Sequence, residues 1–480
     1  MSLIDATKHY INGAWVAPSA PNALDVINPS TEQAFAQITL GSVQDTDAAV
    51  AAAKAAFSTW GQSTKAERLD ALHALLSRYV ARLDDIGDAI SQEMGAPKDF
   101  ARDVQATCGD FHLEYFIKAL ENMELEWPLR AGEEDQHMVR EPIGVAALIT
   151  PWNWPMNQIS LKVGAAIAAG CTMVLKPSEI APMSGVLFAE LVHEAGLPAG
   201  VFNMVNGDGI TVGSRLSEHP DVDMVSFTGS TRAGRLVTKA AADTVKRVSL
   251  ELGGKGPNII FADVPDVAKA VRAGVSSVMS NSGQSCNAPT RMLVERSIYE
   301  QAKQVAADVC AATQVGPSAD AGKHIGPVVS QLQYEKIQGL IQTGLDEGAQ
   351  VLGGGTGKPE GINAGYYVQP TVFGDVTPDM TIFREEIFGP VMSLTPFDSE
   401  AEAIALANDT EYGLASYVQT GDSDRARRVT RQLRAGMVII NGAGRAGGSP
   451  FGGYKQSGNG REGGTMGIED FQEVKAVAGW

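Results

Sequence analysis

One cysteine sits where a nucleophile is wanted. Cys286 lies in SNSGQSCNAPTR, flanked by Ser282, Gly283, Gln284 and Ser285. A lone cysteine is usually a buried, inert apolar residue. These small polar neighbours argue instead for an accessible loop, where a thiolate can attack a carbonyl. Upstream, Glu251 lies in LELGGKGPN beside two glycines. A carboxylate there can act as a general base, or simply form a loop ion pair. Asn153 lies in TPWNWP, between prolines that stiffen the backbone. A rigid side-chain amide can stabilise an oxyanion, or merely cap the next helix.

Two glycine clusters raise the question of phosphate binding. NGDGITVG (Asn206 to Gly213) is one residue too long for a dinucleotide fingerprint and by itself reads as a turn. Gly229 and Gly234 have phosphate-loop spacing, but Arg235 and Leu236 stand where Lys and Ser/Thr are required. The NTPase reading fails there. A strand ending at Gly229, with Ser230 and Thr231 opening a helix, still makes an anion site that suits a pyrophosphate. Cys108 and His112 share a helix face at i, i+4 but lack a second ligand pair, and no HExxH occurs. No protein-held metal is expected.

These residues need elements to position them. Short β-rich runs at 144–150, 172–177, 201–207, 222–229 and 247–252 alternate with Ala- and Leu-rich helical stretches. That alternation predicts a parallel α/β sheet with right-handed crossovers. Ligands then bind beyond the carboxyl ends of the strands, where Thr150–Asn153, Lys176–Glu179, Gly207–Gly209, Gly229–Ser230 and Glu251–Gly254 fall. Before this unit the chain reads as helical after a short β lead. Thr64 and Glu67 form a capping box, and Leu69, Leu72, Leu76, Tyr79, Leu83 and Ile86 make one helical stripe. A second α/β unit runs from 255 to about 440, followed by a Gly-rich stretch at 442–464. The closing FQEVKAV run reads as a strand that adds to a sheet elsewhere, in this chain or another subunit.

Composition excludes several classes. Of 480 residues, 44% are hydrophobic and 20% charged, which is globular rather than disordered. The net charge of −18 repels phosphate backbones and anionic lipid, so neither nucleic acid nor membrane is an expected partner. Four cysteines without a CxxC pair are no disulfide framework. The longest apolar run, Val163 to Leu175, falls short of the about 20 residues that span a bilayer. No secretory signal is visible at the N-terminus, and the chain reads as cytoplasmic.

TPWNWP, KPSE, SFTGST, LELGGK, GQSC, EEIFGP and PFGGYKQSGNGRE stand in this order over residues 150 to 462. Together they strongly resemble the NAD(P)-dependent aldehyde dehydrogenase superfamily, with weaker similarity from INGAW (11–15) to the terminal EVKAV. The resemblance implies Cys286 as nucleophile, Asn153 as oxyanion donor and Glu251 as the base that activates water. Lys162 and Glu462 match a proton relay behind that base. For the cofactor it implies Lys176 and Glu179 at the adenosine ribose, Gly209 at the adenine, and Gly229 with Ser230 at the pyrophosphate. Glu386 would hold the nicotinamide ribose, with Phe388, Thr150 and Trp152 beside it.

The implied architecture is α/β with three parts. A Rossmann-like parallel-sheet cofactor domain takes 1–122 and 143–254, and an α/β catalytic domain takes 255–440. A small bridging β domain takes 123–142 and 465–480, and 441–464 forms a substrate-channel loop. Implied too are a homodimer or homotetramer and oxidation of an aldehyde to its acid through a thioester, with water as acyl acceptor. A cysteine-dependent esterase on the same scaffold is the alternative. Glu179 favours NAD over NADP, because a carboxylate repels a 2′-phosphate. Leu161 stands where some relatives carry Arg or Trp, Asn157 where many are apolar, and Arg445 is the one local cation in the channel loop. A medium-sized neutral or mildly polar aldehyde is the expected substrate.

Overall fold

The computed structural model describes residues 3–133 and 135–480. Val145–Ile149, Thr172–Lys176, Phe202–Met204, Met224–Thr228 and Arg247–Glu251 form five mutually parallel strands. The first four are buried along their whole length, as continuous apolar runs in a doubly covered sheet should be. Across the sheet they run 247–251, 224–228, 145–149, 172–176, 202–204. The strand order therefore reverses between 145–149 and 224–228, which opens a crevice beyond their carboxyl ends. Antiparallel strands extend both edges: Gly458–Asn459 beside 247–251, and His9–Ile11 then Ala14–Val16 beyond 202–204.

The helix Pro155–Ala169 begins with Pro at its first turn and ends at Gly170 in a left-handed conformation. It is buried almost all round, so its apolar run is core rather than a membrane segment. Among the described residues no helix is long and apolar enough to cross a membrane. The Val163–Leu175 run is the end of this helix, the Gly170 turn and the next strand.

A second, seven-stranded sheet has the order 350–353, 371–374, 391–397, 291–295, 257–260, 415–419, 437–440. All its pairings are parallel except that of the edge strand Gln350–Gly353. A three-stranded antiparallel sheet joins Gln472–Ala478, Gln136–Pro142 and Glu126–Pro128, with Gln472 opposite Pro142. The terminal strand thus finds its first partner within its own chain, and its outer edge stays unpaired there.

Two readings of the N-terminal part change. The short β lead is five strands within the first 39 residues, three of them a separate sheet of 4–6, 33–39 and 23–28. The single stripe from Leu69 to Ile86 is two helices, Lys65–Ala81 and Leu83–Met94. The break falls at Arg82, whose guanidinium binds Asp85, Glu190 and Glu194.

Candidate active site

The chain leaves the first sheet at Glu251 and enters the second at Pro257. That short link brings the carboxyl end of one sheet against the amino end of the other. Cys286 precedes Arg291–Glu295, the strand paired with 257–260, so it arrives at the same seam. Two glycines allow the loops to close. A Cβ on Gly254 would lie 2.2 Å from the Cys286 carbonyl oxygen. Gly283 has φ +74, and a Cβ there would lie 1.9 Å from the Gly389 carbonyl oxygen. Any side chain would force these loops apart.

Asn153 is held by a buried amide network. Its Nδ2 donates to the Gln284 carbonyl at 2.9 Å, which leaves its second N–H uncommitted. Asn281 Nδ2 donates to the Asn153 carbonyl at 3.0 Å, and Gln105 Nε2 donates to Asn281 Oδ1 at 2.8 Å. Asn281 and Ser282 are left-handed, at φ 53 and 54. Trp154 Nε1 donates to Ser285 Oγ at 2.9 Å and pins the other side of the nucleophile loop.

Electrostatics set the resting protonation. Burial, then the Glu386 and Glu251 carboxylates, push the Cys286 thiol far above its ordinary value. Cys286 itself is only partly buried. Glu251 is 3% exposed, and neither carboxylate oxygen has a hydrogen-bond partner. Burial first, then Glu462, raises its pKa well above the carboxylate range, against the pull of Lys162. Lys162 Nζ binds Glu462 Oε1 and lies 3.0 Å from Ser226 Oγ, while Glu462 Oε2 has no partner.

Two cavities meet at Cys286. One, of about 210 Å³, occupies the crevice at the strand-order reversal and is lined by Trp152, Thr228, Gly229, Ser230, Glu386 and Phe388 among others. Glu386 Oε1 accepts from the Gly254 N–H at 2.8 Å. Its loop is held by Lys336 Nζ on the Glu386 carbonyl and Gln333 Nε2 on that of Phe388. Phe388 is left-handed at φ 59, and its ring meets Trp152 edge-on at 5.4 Å. Ser230 caps the helix Thr231–Ala241. Farther along the strand ends, Lys176 Nζ lies 3.2 Å from Glu179 Oε2. The 209–213 turn packs beside Lys176, and a Cβ on Gly209 would meet open space.

These residues fit a dinucleotide. The crevice has a helix N-terminus for a pyrophosphate, an acidic group at each end for ribose hydroxyls, and unpartnered buried hydroxyls on Thr150 and Thr228. Among the described residues no metal-binding cluster occurs. Cys108 Sγ donates to the Val104 carbonyl, and His112 binds Asn157.

The second cavity, of about 230 Å³, reaches Cys286 from the opposite side. Phe111, His112 and Tyr115 line it from one helix, Asn157 and Leu161 from another, and Arg445 from the Gly-rich loop. Arg445 is fixed rather than free. Its Nη2 donates to the Ser449 and Pro450 carbonyls, and its guanidinium lies over Phe451. Sequence reasoning missed His112 as a channel residue, although 108, 111, 112 and 115 repeat at helical spacing. Nothing local marked Gln105, Gln333 or Lys336.

The aldehyde dehydrogenase family model matches residues 15–477. A 3-succinoylsemialdehyde-pyridine dehydrogenase from a Pseudomonas species is 50% identical over 477 residues, 99% of each chain. The crystal structure of an aldehyde dehydrogenase from Bartonella henselae superposes with a TM-score of 0.98 at 56% identity, covering 100% of both chains. Aldehyde dehydrogenase C of Pseudomonas syringae, a cysteine-to-alanine variant crystallised with NAD+ and octanal, gives a TM-score of 0.97 at 47% identity over 99% of this chain and 97% of its own.

Proposed function

The chain belongs to the aldehyde dehydrogenase family, and from that premise we propose how its own residues carry out NAD-dependent oxidation of an aldehyde to the carboxylic acid. The aldehyde enters through the 230 Å³ cavity and meets Cys286 at the seam between the two cavities. Cys286 Sγ releases its proton to solvent water in that cavity and bonds to the carbonyl carbon, whose oxygen becomes an oxyanion. The uncommitted N–H of Asn153 Nδ2 and the backbone N–H of Cys286 receive that charge. When bound in the other cavity, NAD+ supplies the hydride acceptor. Loss of hydride from the substrate carbon leaves a thioester on Cys286. Glu251 then takes a proton from water, and the resulting hydroxide attacks the thioester and releases the acid. Glu251 must first give up its own proton, which passes to the free Oε2 of Glu462 and is steadied by Lys162. Lys176, Glu179, Gly209, Gly229 and Ser230 hold the adenosine diphosphate half. Glu386, Phe388, Thr150 and Trp152 hold the nicotinamide half.

The position of Cys286 at the meeting point of two separate cavities carries this reading. A simple esterase needs only one of them. The test is NADH formation from a panel of aldehydes by the native chain and Cys286→Ala. Undiminished oxidation by the variant would refute the mechanism.

The finer assignments rest on single features. Glu179 beside Lys176 favours NAD over NADP, since its carboxylate repels a 2′-phosphate. A buried base at Glu251 favours water over a thiol as acyl acceptor. The cavity suits a medium-sized aldehyde, in keeping with the octanal and the semialdehyde named for the relatives. The unpaired edge of 472–478, with Val474 half exposed, suits strand pairing between subunits of a homodimer or homotetramer. Four unpaired cysteines suit the reducing cytoplasm.

A further inference from the structure

The substrate tunnel contains hydrogen-bonding groups that the mechanism does not use, and one of them, Asn157, is held in a set orientation. Its walls are largely apolar or aromatic, from Phe111, Tyr115, Trp154, Leu161 and Phe451. Most polar atoms among them are already engaged. Cys108 Sγ donates to the Val104 carbonyl at 3.1 Å, Trp154 Nε1 to Ser285, and Arg445 Nη2 to two carbonyls of its own loop. Gln158 lines both cavities, so it faces the reacting end of the substrate. Asn157 lies one helical turn before Leu161 and lines the substrate cavity alone.

His112 Nε2 lies 2.7 Å from Asn157 Oδ1. The ring N–H donates to the amide oxygen, and this fixes which way the amide faces. Its Nδ2 then turns away from the imidazole and has no partner among the described residues. A partly buried amide donor in an apolar tunnel costs stability unless something accepts from it. We propose that Asn157, oriented by His112, is a specificity residue that selects aldehydes carrying an uncharged acceptor oxygen, such as a ketone or ether, part-way along the chain.

This rests on the proposed function and adds a substrate class to it. The acceptor is uncharged because the pair offers no cation. Burial holds His112 down to about 4, so the ring stays neutral at working pH. Its positive neighbour Arg445 pushes in the same direction. Arg445, the cation in the tunnel wall, is engaged by two carbonyls of its own loop.

The test uses three aldehydes of equal length: an unsubstituted alkanal, the same alkanal with one mid-chain ketone, and its ω-carboxylated counterpart. The readout is kcat/KM from NADH formation with NAD+. The native enzyme should favour the ketone over the alkanal about tenfold, the size of one well-made hydrogen bond in an apolar site. Asn157→Leu should bring that ratio near one while both aldehydes are still oxidised. His112→Leu, which leaves Asn157 in place but unoriented, should lower the ratio several-fold. Equal use of ketone and alkanal by the native enzyme overturns the proposal, as does a ratio that survives Asn157→Leu. Preference for the carboxylated aldehyde, abolished by Arg445→Met, also overturns it. Oxidation of none of the three would overturn the underlying dehydrogenase reading as well, so the two failures are distinguishable.

Discussion

Replacing Glu251 by Gln tests the site at both its thermodynamic and its kinetic level. Glu251 is buried with both oxygens unpartnered, and its pKa is raised by that burial and by Glu462. The folded chain therefore keeps this proton at pH values where the unfolded chain, with an ordinary Glu pKa of about 4.3, has released it. The folded state binds more protons, so native stability falls as pH rises above about 4.3 and until the folded pKa is passed. The slope is about 1.4 kcal/mol per pH unit for one such group. For a chain of this length the unfolding entropy is about 1 kcal/mol per kelvin. Glu251→Gln keeps the shape and removes the titration. Its Tm relative to the native chain should therefore rise with pH from about 4.3 until the folded pKa is passed, by about 1.4 K per pH unit, measured by scanning calorimetry. In the same variant, loss of the general base should slow steady-state turnover about 10²–10⁴-fold. The first turnover should persist as a burst of NADH close to one per site, because hydride leaves before water attacks. A Tm difference that is flat with pH would mean that Glu251 is not held neutral. A first turnover slowed as much as the steady state would mean that it acts before the thioester forms.

Further outcomes follow from other contacts. Asn153→Ala removes one oxyanion donor and should lower kcat about 10²–10³-fold, with NAD+ binding retained by fluorescence titration. The raised Cys286 pKa predicts that iodoacetamide inactivates the cofactor-free enzyme faster as pH rises from 7 to 9, without a plateau, followed as residual activity. Glu179→Gln removes the charge that opposes a 2′-phosphate and should raise the NADP/NAD ratio of kcat/KM by about tenfold, with Lys176 left free for the phosphate.

What the sequence made legible was local or continuous. Four of the five parallel strands are short, fully buried and mostly apolar, and the polar exits at Thr150, Lys176, Gly229 and Glu251 are punctuated by Gly and Pro. The N-terminal sheet was not legible because its strands, ALDVIN and QAFAQIT, are only partly buried and mix polar with apolar residues. The break at Arg82 was hidden because the apolar spacing continues across it, and its cause is ion pairing with a distant helix. Gln105 gave no signal, since its meaning lies in Asn281, 176 residues away. Cys286 stood out by its small polar neighbours, while the burial and the Glu386 and Glu251 carboxylates that raise its pKa lie outside its local sequence.

The pairing of Lys162 with Glu462 spans 300 residues of chain. Asn153, Lys162, Glu251 and Cys286 all precede Glu462, the partner of Lys162, by at least 176 residues. A chain stalled on the ribosome short of Glu462 therefore carries Cys286 without its finished proton route, and without the strand that closes the edge beside Glu251. In refolding, where the whole chain is present at once, closing this contact across 300 residues carries a loop-closure cost, and recovered activity should lag behind recovered helix and sheet signal. The site around Cys286 is in this way completed only when a segment about 180 residues further along the chain has docked.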